Sequence, residues 1–226
     1  MIIVIQCAAK KQPGAGHLMS TAGKRVVFVA EPDAAPADSA LLYARPDDPS
    51  CTGESWRQEL LKYNDGSPNN PRDLYPAWKL YKNKTYGRLV DRFGPQKVYI
   101  LSAGWGLIRA DFLTPNYDIT FSPSAKGYTR RRKADRYQDF RMLPIEADGR
   151  IVFFGGKDYL PLFSALTSAI RGRKTVFYNA SRVPEAPGCK LKRFETKRRI
   201  NWHYECANAF LDGIVSVDCL QTAEPS

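Results

Sequence analysis

Two aspartates in this sequence stand directly beside a tyrosine, in segments that follow short apolar runs. Asp158 precedes Tyr159 in "FFGGKDYLPLF" (153–163), and Asp118 follows Tyr117. An aromatic wall beside a carboxylate suits base extrusion and N-glycosidic cleavage, because the extruded base stacks while the carboxylate stabilises a sugar cation or activates water. We predict Asp158 as the first catalytic candidate and Asp118 as the second. Two ordinary roles compete: a first-turn acid on a helix dipole for Asp158, and an Asx-turn for Asp118.

Glycines and small or aromatic side chains accompany these aspartates, at or just beyond the ends of apolar runs. A glycine allows the backbone to approach a ligand closely and to present its amides. The predicted base- or nucleotide-binding residues are Gln6, Cys7, Ser102, Trp105, Gly106, Tyr117, Gly155, Gly156 and Tyr159. Trp105 could stack on a base or fill the core. Cys7 could act as a nucleophile, but a small buried thiol is the commoner role.

Positive charge is concentrated in one part of the chain. The net charge is +11, and residues 120–200 carry 19 Lys and Arg against 7 acids. A basic block with interleaved aromatic residues is typical of proteins that bind a phosphate backbone, although a solvated basic face would look the same. The predicted DNA-backbone contacts are Lys10, Lys11, Arg130, Arg131, Arg132, Lys133, Lys157, Lys190, Lys192, Arg193, Arg198 and Arg199.

Five short β-branched and aromatic runs predict the strands that position these residues. They are residues 2–5, 25–30, 97–102, 150–154 and 175–178. Most are continuous rather than alternating, which favours strands buried on both faces of a parallel or mixed sheet. The helical patterns are residues 54–63, 73–93, 158–171 and 201–211. Strands that alternate with helices predict a single α/β domain with a largely parallel central sheet.

Three polar segments are predicted as loops. Residues 31–53 are rich in Pro and Asp, which predicts a surface excursion within an insertion at about 12–53. Residues 66–72 form a second loop, and the basic residues 122–142 form a third that is too polar for the core. We expect this basic loop to flank the mouth of a single cleft that holds both aspartates, since ligands of open α/β sheets bind at the carboxyl ends of strands.

Length and composition limit the class of protein. A chain of 226 residues that is 43% hydrophobic and 25% charged is ordinary for one globular domain. No apolar run approaches the ~20 residues of a membrane span, and the apolar N-terminus lacks the basic start of a signal peptide. Five scattered cysteines without a C-x-x-C pair favour reduced thiols in the cytoplasm, and only two histidines argue against a metal centre. We expect neither a metal nor a cofactor.

Three motifs, taken in order, resemble those of the YaaA family and its DUF6884-type relatives. They are "MIIVIQCAAKK" at the N-terminus, "YILSAGWGLIRADFLTPNYDITF" in the middle and "GGKDY" after a late strand. The resemblance covers the start of the chain, residues 74–121 and residues 151–163. It picks out Lys10, Lys11, Ser102, Gly106, Pro115, Tyr117, Asp158 and Tyr159.

The resemblance implies a mixed α/β fold with a positively charged cleft, and DNA binding linked to oxidative stress. Relatives that occur beside DNA-modification systems imply an enzymatic role on nucleobases. With the residues above, this leads to the hypothesis of a cytoplasmic, monomeric DNA glycosylase that excises a modified base from duplex DNA, in defence against hypermodified phage DNA. Two alternatives stay open: a non-catalytic DNA-binding stress protein, and a hydrolase or transferase that acts on free nucleosides or nucleotides.

Overall fold

The computed structural model describes residues 1–66 and 69–217. Along the chain the elements are β1 (Ile2–Gln6), β2 (Arg25–Phe28), β3 (Leu41–Ala44), α1 (Trp56–Gly66), β4 (Tyr75–Pro76), α2 (Ala77–Leu80), α3 (Thr85–Phe93), β5 (Val98–Ser102), β6 (Gly106–Arg109), β7 (Leu113–Thr114), β8 (Phe140–Arg141), β9 (Ile151–Phe154), α4 (Leu160–Thr167), β10 (Lys174–Tyr178), β11 (Cys189–Arg193) and α5 (Trp202–Leu211). Within the described ranges, no helix has the length and apolar character needed to cross a membrane.

Seven strands form one central sheet in the order β11-β10-β9-β1-β5-β6-β8. The first five of these run parallel to one another, β6 runs antiparallel to β5, and β8 is parallel to β6. In the central strand β1, Ile3, Val4 and Ile5 are completely buried. Such continuous burial is expected when both faces of a parallel sheet are covered. The predicted α/β class with a largely parallel central sheet is confirmed.

Two rings in β9 show that helices cover both faces of this sheet. Phe153 stacks on Phe163 of α4 with 4.4 Å between ring centroids, whereas Phe154 packs on Phe210 of α5 at 5.4 Å. Adjacent residues of a strand point to opposite faces, so α4 and α5 lie on opposite sides of the sheet. The helix α3 packs against α5, β1 and β5, and therefore lies on the α5 side.

The order of the strands reverses beside β1. The chain passes from β1 to β5 on one side, and later adds β9, β10 and β11 on the other side of β1. In an open α/β sheet, a reversal of this kind leaves a crevice at the carboxyl ends of the two strands concerned. The residues that follow β1 and β9 are therefore placed to form a site.

The predicted helix over residues 73–93 is wrong in its first half. The segment begins with β4, which pairs with β7, and only α2 and α3 are helical. Pro76 has no N–H group and disfavours helical geometry at the residue before it. Between α2 and α3 the chain bends toward β1, where the Lys82 N–H donates to the Lys10 carbonyl at 3.3 Å. The bend brings this connection to the carboxyl end of the sheet.

Several strands lie in segments that the sequence analysis assigned otherwise. The strand β3 lies within the predicted surface excursion 31–53, where Ala44 is buried, and it pairs with β2 in a separate parallel sheet. The predicted strand 25–30 is thus correct in position but lies outside the central sheet. The edge strand β11 was not predicted, and it carries Lys190, Lys192 and Arg193 from the basic part of the chain. The other four predicted strands are confirmed in the central sheet, and α1, a shorter α4 and α5 match predicted helices.

The basic segment 122–142 is mostly loop, as predicted, and Arg131 anchors it to the core. The Arg131 side chain is 5% exposed, with Nη2 at 2.6 Å from Asp139 and Nη1 donating to the Ala103 carbonyl at 2.8 Å. Its guanidinium also lies 3.9 Å from the centroid of the Tyr137 ring. Because this charge is bound inside the protein, the prediction of Arg131 as a DNA-backbone contact is wrong.

Candidate functional site

A cleft of about 640 Å³ opens at the carboxyl ends of β1 and β9. Gln6, the last residue of β1, and Cys7 directly after it line the cleft. The connection from β9 to α4 contributes Gly156, Asp158 and Tyr159. The other walls of the cleft come from the α2–α3 connection, from the segment after β7, and from the residues that lead into α5. The cleft therefore lies where the reversal in strand order favours a ligand site.

Gln6 joins the two strand ends that form the cleft. The Gly156 N–H donates to Gln6 Oε1 at 2.6 Å. A Cβ at Gly155 would lie 2.2 Å from the Phe153 ring, so packing alone requires glycine there. At Gly156 the nearest atom to such a Cβ is Gln6 Oε1 at 3.5 Å, and the backbone stays open to the cleft. Gly156 and Gln6 thus lie at the site, whereas Gly155 is a packing residue.

Cys7 and Tyr159 form a buried inner wall of the cleft. Cys7 Sγ and Tyr159 Oη share a hydrogen bond at 3.2 Å. Burial raises the pKa of Tyr159 well above its ordinary value, so the phenol is neutral near pH 7. Phe121 packs edge-on against Tyr159 with 5.1 Å between ring centroids. The wall is aromatic with a polar edge, and the hydrogen-bond partner of Cys7 is a neutral phenol.

Asp158 is the carboxylate of this cleft. It is partly exposed, and it forms no hydrogen bond or ion pair with any residue in the described ranges. It also lines a second, basic depression of about 630 Å³, and so stands at the border between the two. The alternative role as a first-turn acid does not apply, because α4 begins at Leu160. The carboxylate is therefore available to a ligand.

Asp118 does not share this cleft. It is exposed and lines a separate depression of about 320 Å³ with Lys11 and Tyr117. Its backbone N–H donates to the Phe28 carbonyl at 2.8 Å, in an extended segment that runs beside β2. Adjacent residues of an extended segment point in opposite directions, so the burial of Tyr117 places Asp118 outside. The expected cleft with two carboxylates is wrong.

Tyr117 and Ser102 support the end of β5 from within the core. Tyr117 Oη shares a hydrogen bond with Tyr81 Oη at 2.9 Å and accepts one from Ser102 Oγ at 2.9 Å. Ser102 Oγ also accepts from the backbone N–H of Gly104 at 3.2 Å and of Trp105 at 3.0 Å, which closes the turn after β5. Both side chains are buried and neither lines the cleft, so their predicted base-binding roles are wrong.

Trp105 fills the core, which decides between its two predicted roles. It is completely buried, and its ring centroid lies 4.9 Å from that of Phe28 and 6.4 Å from that of Phe140. Gly106 has a φ of 87°, and a Cβ there would lie 2.7 Å from the Phe140 backbone nitrogen. The glycine is needed for the close pairing of β6 with β8. The predicted base-binding roles of Trp105 and Gly106 are therefore wrong.

Some of the predicted backbone-binding cations do border the site. Arg132 and Lys133 are exposed and line the basic depression beside Asp158. Lys10 and Arg199 are exposed on the rim of the cleft. These four side chains bring positive charge to both sides of Asp158, where a phosphate backbone could pass.

Other predicted cations lie elsewhere or are bound within the protein. Lys11 is partly buried, with Nζ 4.1 Å from the Tyr117 ring centroid, and desolvation lowers its pKa. Arg198 pairs with Glu205 at 3.3 Å. The remaining residues line neither the cleft nor the basic depression: Arg130 and Lys157 in exposed loops, and Lys190, Lys192 and Arg193 on the edge strand β11.

Lys82, Asn83 and His203 are among the cleft residues that the sequence analysis missed. Lys82 and Asn83 were assigned to a helix interior, although Pro76 signalled a break nearby. The His203 side chain is 4% exposed, and its Nε2 is buried without a hydrogen-bond partner among the described residues. Burial lowers the pKa of His203 to about 4, so the imidazole is neutral near pH 7. Its position between the aromatic residues Trp202 and Tyr204, in the first turn of α5, was the available signal.

The cleft combines an unpaired carboxylate, an aromatic wall and a cationic rim. Such a site can bind an aromatic ligand by stacking and can stabilise positive charge that develops near Asp158. In residues 1–66 and 69–217, no three His, Cys, Asp or Glu side chains lie close enough together to hold a metal ion. Comparisons with protein-family models, with curated proteins and with solved structures find no match to this chain.

Proposed function

We propose that this protein is a DNA-binding N-glycosidase that extrudes a modified base from duplex DNA and hydrolyses its glycosidic bond. The observation that carries the proposal is the unpaired carboxylate of Asp158, which stands between an aromatic-walled cleft and a basic depression. The cleft of about 640 Å³ has the size of a small-ligand site and can hold one nucleoside. The proposal includes kinship with the YaaA family, a monomeric state, a cytoplasmic location and a role against hypermodified phage DNA.

The chemistry acts on the sugar through Asp158. The extruded base lies against the Tyr159 wall, and its bond to the sugar breaks while positive charge develops on the sugar ring. The Asp158 carboxylate stabilises that charge, and a water molecule then adds to the anomeric carbon. The departing base takes up the proton from this water, so the products are the free base and an abasic site.

The basic depression supplies affinity for the DNA backbone. Arg132, Lys133, Arg136 and Arg141 are exposed there, and none of the four forms an ion pair with a described residue. Cations that are not paired within the protein can replace the counterions of DNA, which makes binding favourable and dependent on salt. The depression borders Asp158, so a bound backbone would run past the cleft that receives the base.

Replacement of Asp158 by Asn tests the proposal. The change removes the charge and keeps the size, so single-turnover base excision should fall on the order of 10²–10⁴-fold. DNA affinity should stay the same or rise, because a carboxylate near phosphates is lost. The assay incubates duplexes bearing different modified bases with the protein, treats them with alkali, and measures strand breaks at abasic sites.

Asp118→Asn is the matched control for this experiment. Asp118 also stands next to a tyrosine, but it lies in a separate depression. The Asp118→Asn variant should therefore excise the base at the wild-type rate. A wild-type rate for Asp158→Asn would show that the carboxylate at the cleft is not catalytic. If the wild-type protein binds DNA and releases no base from any duplex, the non-catalytic DNA-binding function replaces the proposal.

The volume of the cleft also suits a second candidate, an enzyme of free nucleosides or nucleotides. Salt distinguishes the two functions, because phosphate contacts dominate the binding of a polymer and weaken steeply as salt rises. Excision from duplex DNA should therefore be suppressed between 50 and 200 mM salt, on the order of the 10³-fold loss of affinity typical of six phosphate contacts. Activity on a free nucleoside should persist over the same range.

A further inference from the structure

A large aliphatic side chain stands exposed at the rim of the cleft. Ile200 is 78% exposed and lines the cleft mouth between Arg199 and Asn201. Single exposed aliphatic residues are common on protein surfaces, and Ile214 beyond the end of α5 is 76% exposed. Ile200 differs from it in position, because it borders the site where we propose that a base enters.

The segment that carries Ile200 is anchored on both sides. Before it, Asn179 Nδ2 donates to the Arg198 carbonyl at 3.2 Å. After it, Asn201 adopts a left-handed conformation with φ of 58°, and the next residue, Trp202, is buried. The chain bends between these two points, and residues 199–201 are exposed. The Ile200 side chain is therefore the aliphatic tip of an anchored segment at the cleft rim.

Cations line the same cleft as this tip. Arg199 precedes it, and Lys10 and Lys82 line the same cleft. None of these three side chains forms an ion pair with a described residue. Stacked DNA offers both matching surfaces, since phosphates lie outside and the apolar faces of the bases become accessible wherever a base leaves the stack. An aliphatic tip among unpaired cations is complementary to that arrangement.

We propose that Ile200 is a wedge that enters the base stack of duplex DNA at the position vacated by the extruded base. This rests on the proposed function, in which the extruded nucleotide occupies the adjacent cleft. Apolar side chains that enter DNA hold neighbouring base pairs apart, and one that fills the gap prevents the extruded base from returning. Ile200 is a positioning residue in this mechanism, because it acts on the DNA stack and not on the bond that breaks.

Excision from double- and single-stranded DNA tests the wedge. Single-turnover rates are measured for one susceptible base in a duplex and in the same strand alone. Ile200→Ala should slow excision from the duplex by about tenfold or more, because an unfilled gap favours return of the base, and should leave the single-strand rate unchanged. Ile200→Met, which keeps a long apolar side chain, should restore most of the duplex rate. Ile214→Ala should change neither rate.

Either of two results would overturn the wedge. One is a wild-type duplex rate for Ile200→Ala. The other is an equal loss of excision rate for Ile200→Ala on duplex and on single-stranded DNA, which would indicate a structural defect or a role in the cleft itself.

Base extrusion can be measured apart from base release, so the two proposals can fail separately. A duplex with a susceptible modified base and 2-aminopurine as its neighbour in the same strand gains fluorescence when the modified base leaves the stack. If Ile200 is a wedge, the fluorescence should rise with the wild type and with Ile214→Ala. It should not rise with Ile200→Ala. No rise with the wild type would overturn the wedge. A rise without base release from any duplex would overturn the glycosidase and support the wedge.

Discussion

Asp158 and Asp118 each stand beside a tyrosine, yet the fold gives them different surroundings. Tyr159 lines the cleft, and Asp158 borders the same space. Tyr117 points into the core, and Asp118 is left in an exposed depression elsewhere. The direction of the neighbouring phenol therefore decides which carboxylate borders the cleft.

His203 should make the stability of the protein depend on pH. Burial lowers its pKa from 6.5 to about 4, so the unfolded chain takes up a proton at a higher pH than the folded protein. The contribution of this group to stability is fully present above pH 6.5 and is lost as the pH falls toward 4, by up to about 3 kcal/mol. Denaturant unfolding at pH 7 and at pH 4.5 measures the loss.

His203→Gln is the control for this pH dependence. Its free energy of unfolding should fall less than that of the wild type between the two pH values, because only the groups common to both proteins, the carboxyl groups and His17, titrate there. Equal losses in the two proteins would contradict a neutral buried imidazole.

At the scale of elements, the glycines that follow the strands serve different purposes. Gly155 makes room for the Phe153 ring, and Gly106 permits β8 to pair with β6. Only Gly156 leaves its backbone open to the cleft while it donates to Gln6. A glycine at a strand end thus indicates a close approach, which here is more often to the protein itself than to a ligand.

Gly106→Ala should destabilise the protein through the contact between β6 and β8. The backbone at Gly106 has a φ of 87°, and the added Cβ would lie 2.7 Å from the Phe140 backbone. Left-handed geometry alone costs about 1–2 kcal/mol for a non-glycine residue, and the clash adds to this cost. We therefore expect the free energy of unfolding to fall by more than about 2 kcal/mol. Gly127→Ala, where a Cβ meets nothing within 4 Å, should stay within about 0.5 kcal/mol of the wild type in the same denaturation experiment. Similar losses in both variants would contradict this account.

Across the whole molecule, the placement of cations matters more than their number. Arg131 lies in the most basic run of the sequence but is bound to Asp139 in the core. Its neighbours Arg132 and Lys133 reach solvent beside the cleft. Arg171 and Arg173 are equally exposed but lie before β10, at the amino-terminal end of the parallel strands and away from the cleft.

Replacing Arg132 and Lys133 together by Ala should weaken DNA binding and flatten its dependence on salt. Each phosphate contact that is lost reduces the slope of log affinity against log salt by about 0.9 on duplex DNA. The same double replacement at Arg171 and Arg173 removes equal charge at the other end of the sheet and should leave the slope unchanged. Titrations over a range of salt concentrations measure both slopes. An unchanged slope for the first variant would show that the basic loop is only a solvated face.

The sequence by itself determined four of the seven central strands, their parallel arrangement and the strand ends at which the candidate cleft lies. Continuous apolar runs specify strands buried on both faces, because such runs are stable only under layers of helices. Glycines after the run at 150–154 marked the strand end where Asp158 and Tyr159 lie. These features depend on neighbours in the sequence, so local patterns were sufficient to predict them.

Only the tertiary structure decided which side chains face the cleft. The sequence left the role of Trp105 open and placed Arg131 in a polar loop, but partners distant in sequence, Phe28 and Ala103, hold both side chains in the core. His203 reaches the cleft because α5 packs beside β9. Short strands such as β6 and β8 form only where a partner strand is present, so their own residues carry little signal. Burial and pairing are set by long-range contacts, and these contacts separate the cleft residues from the residues that support them.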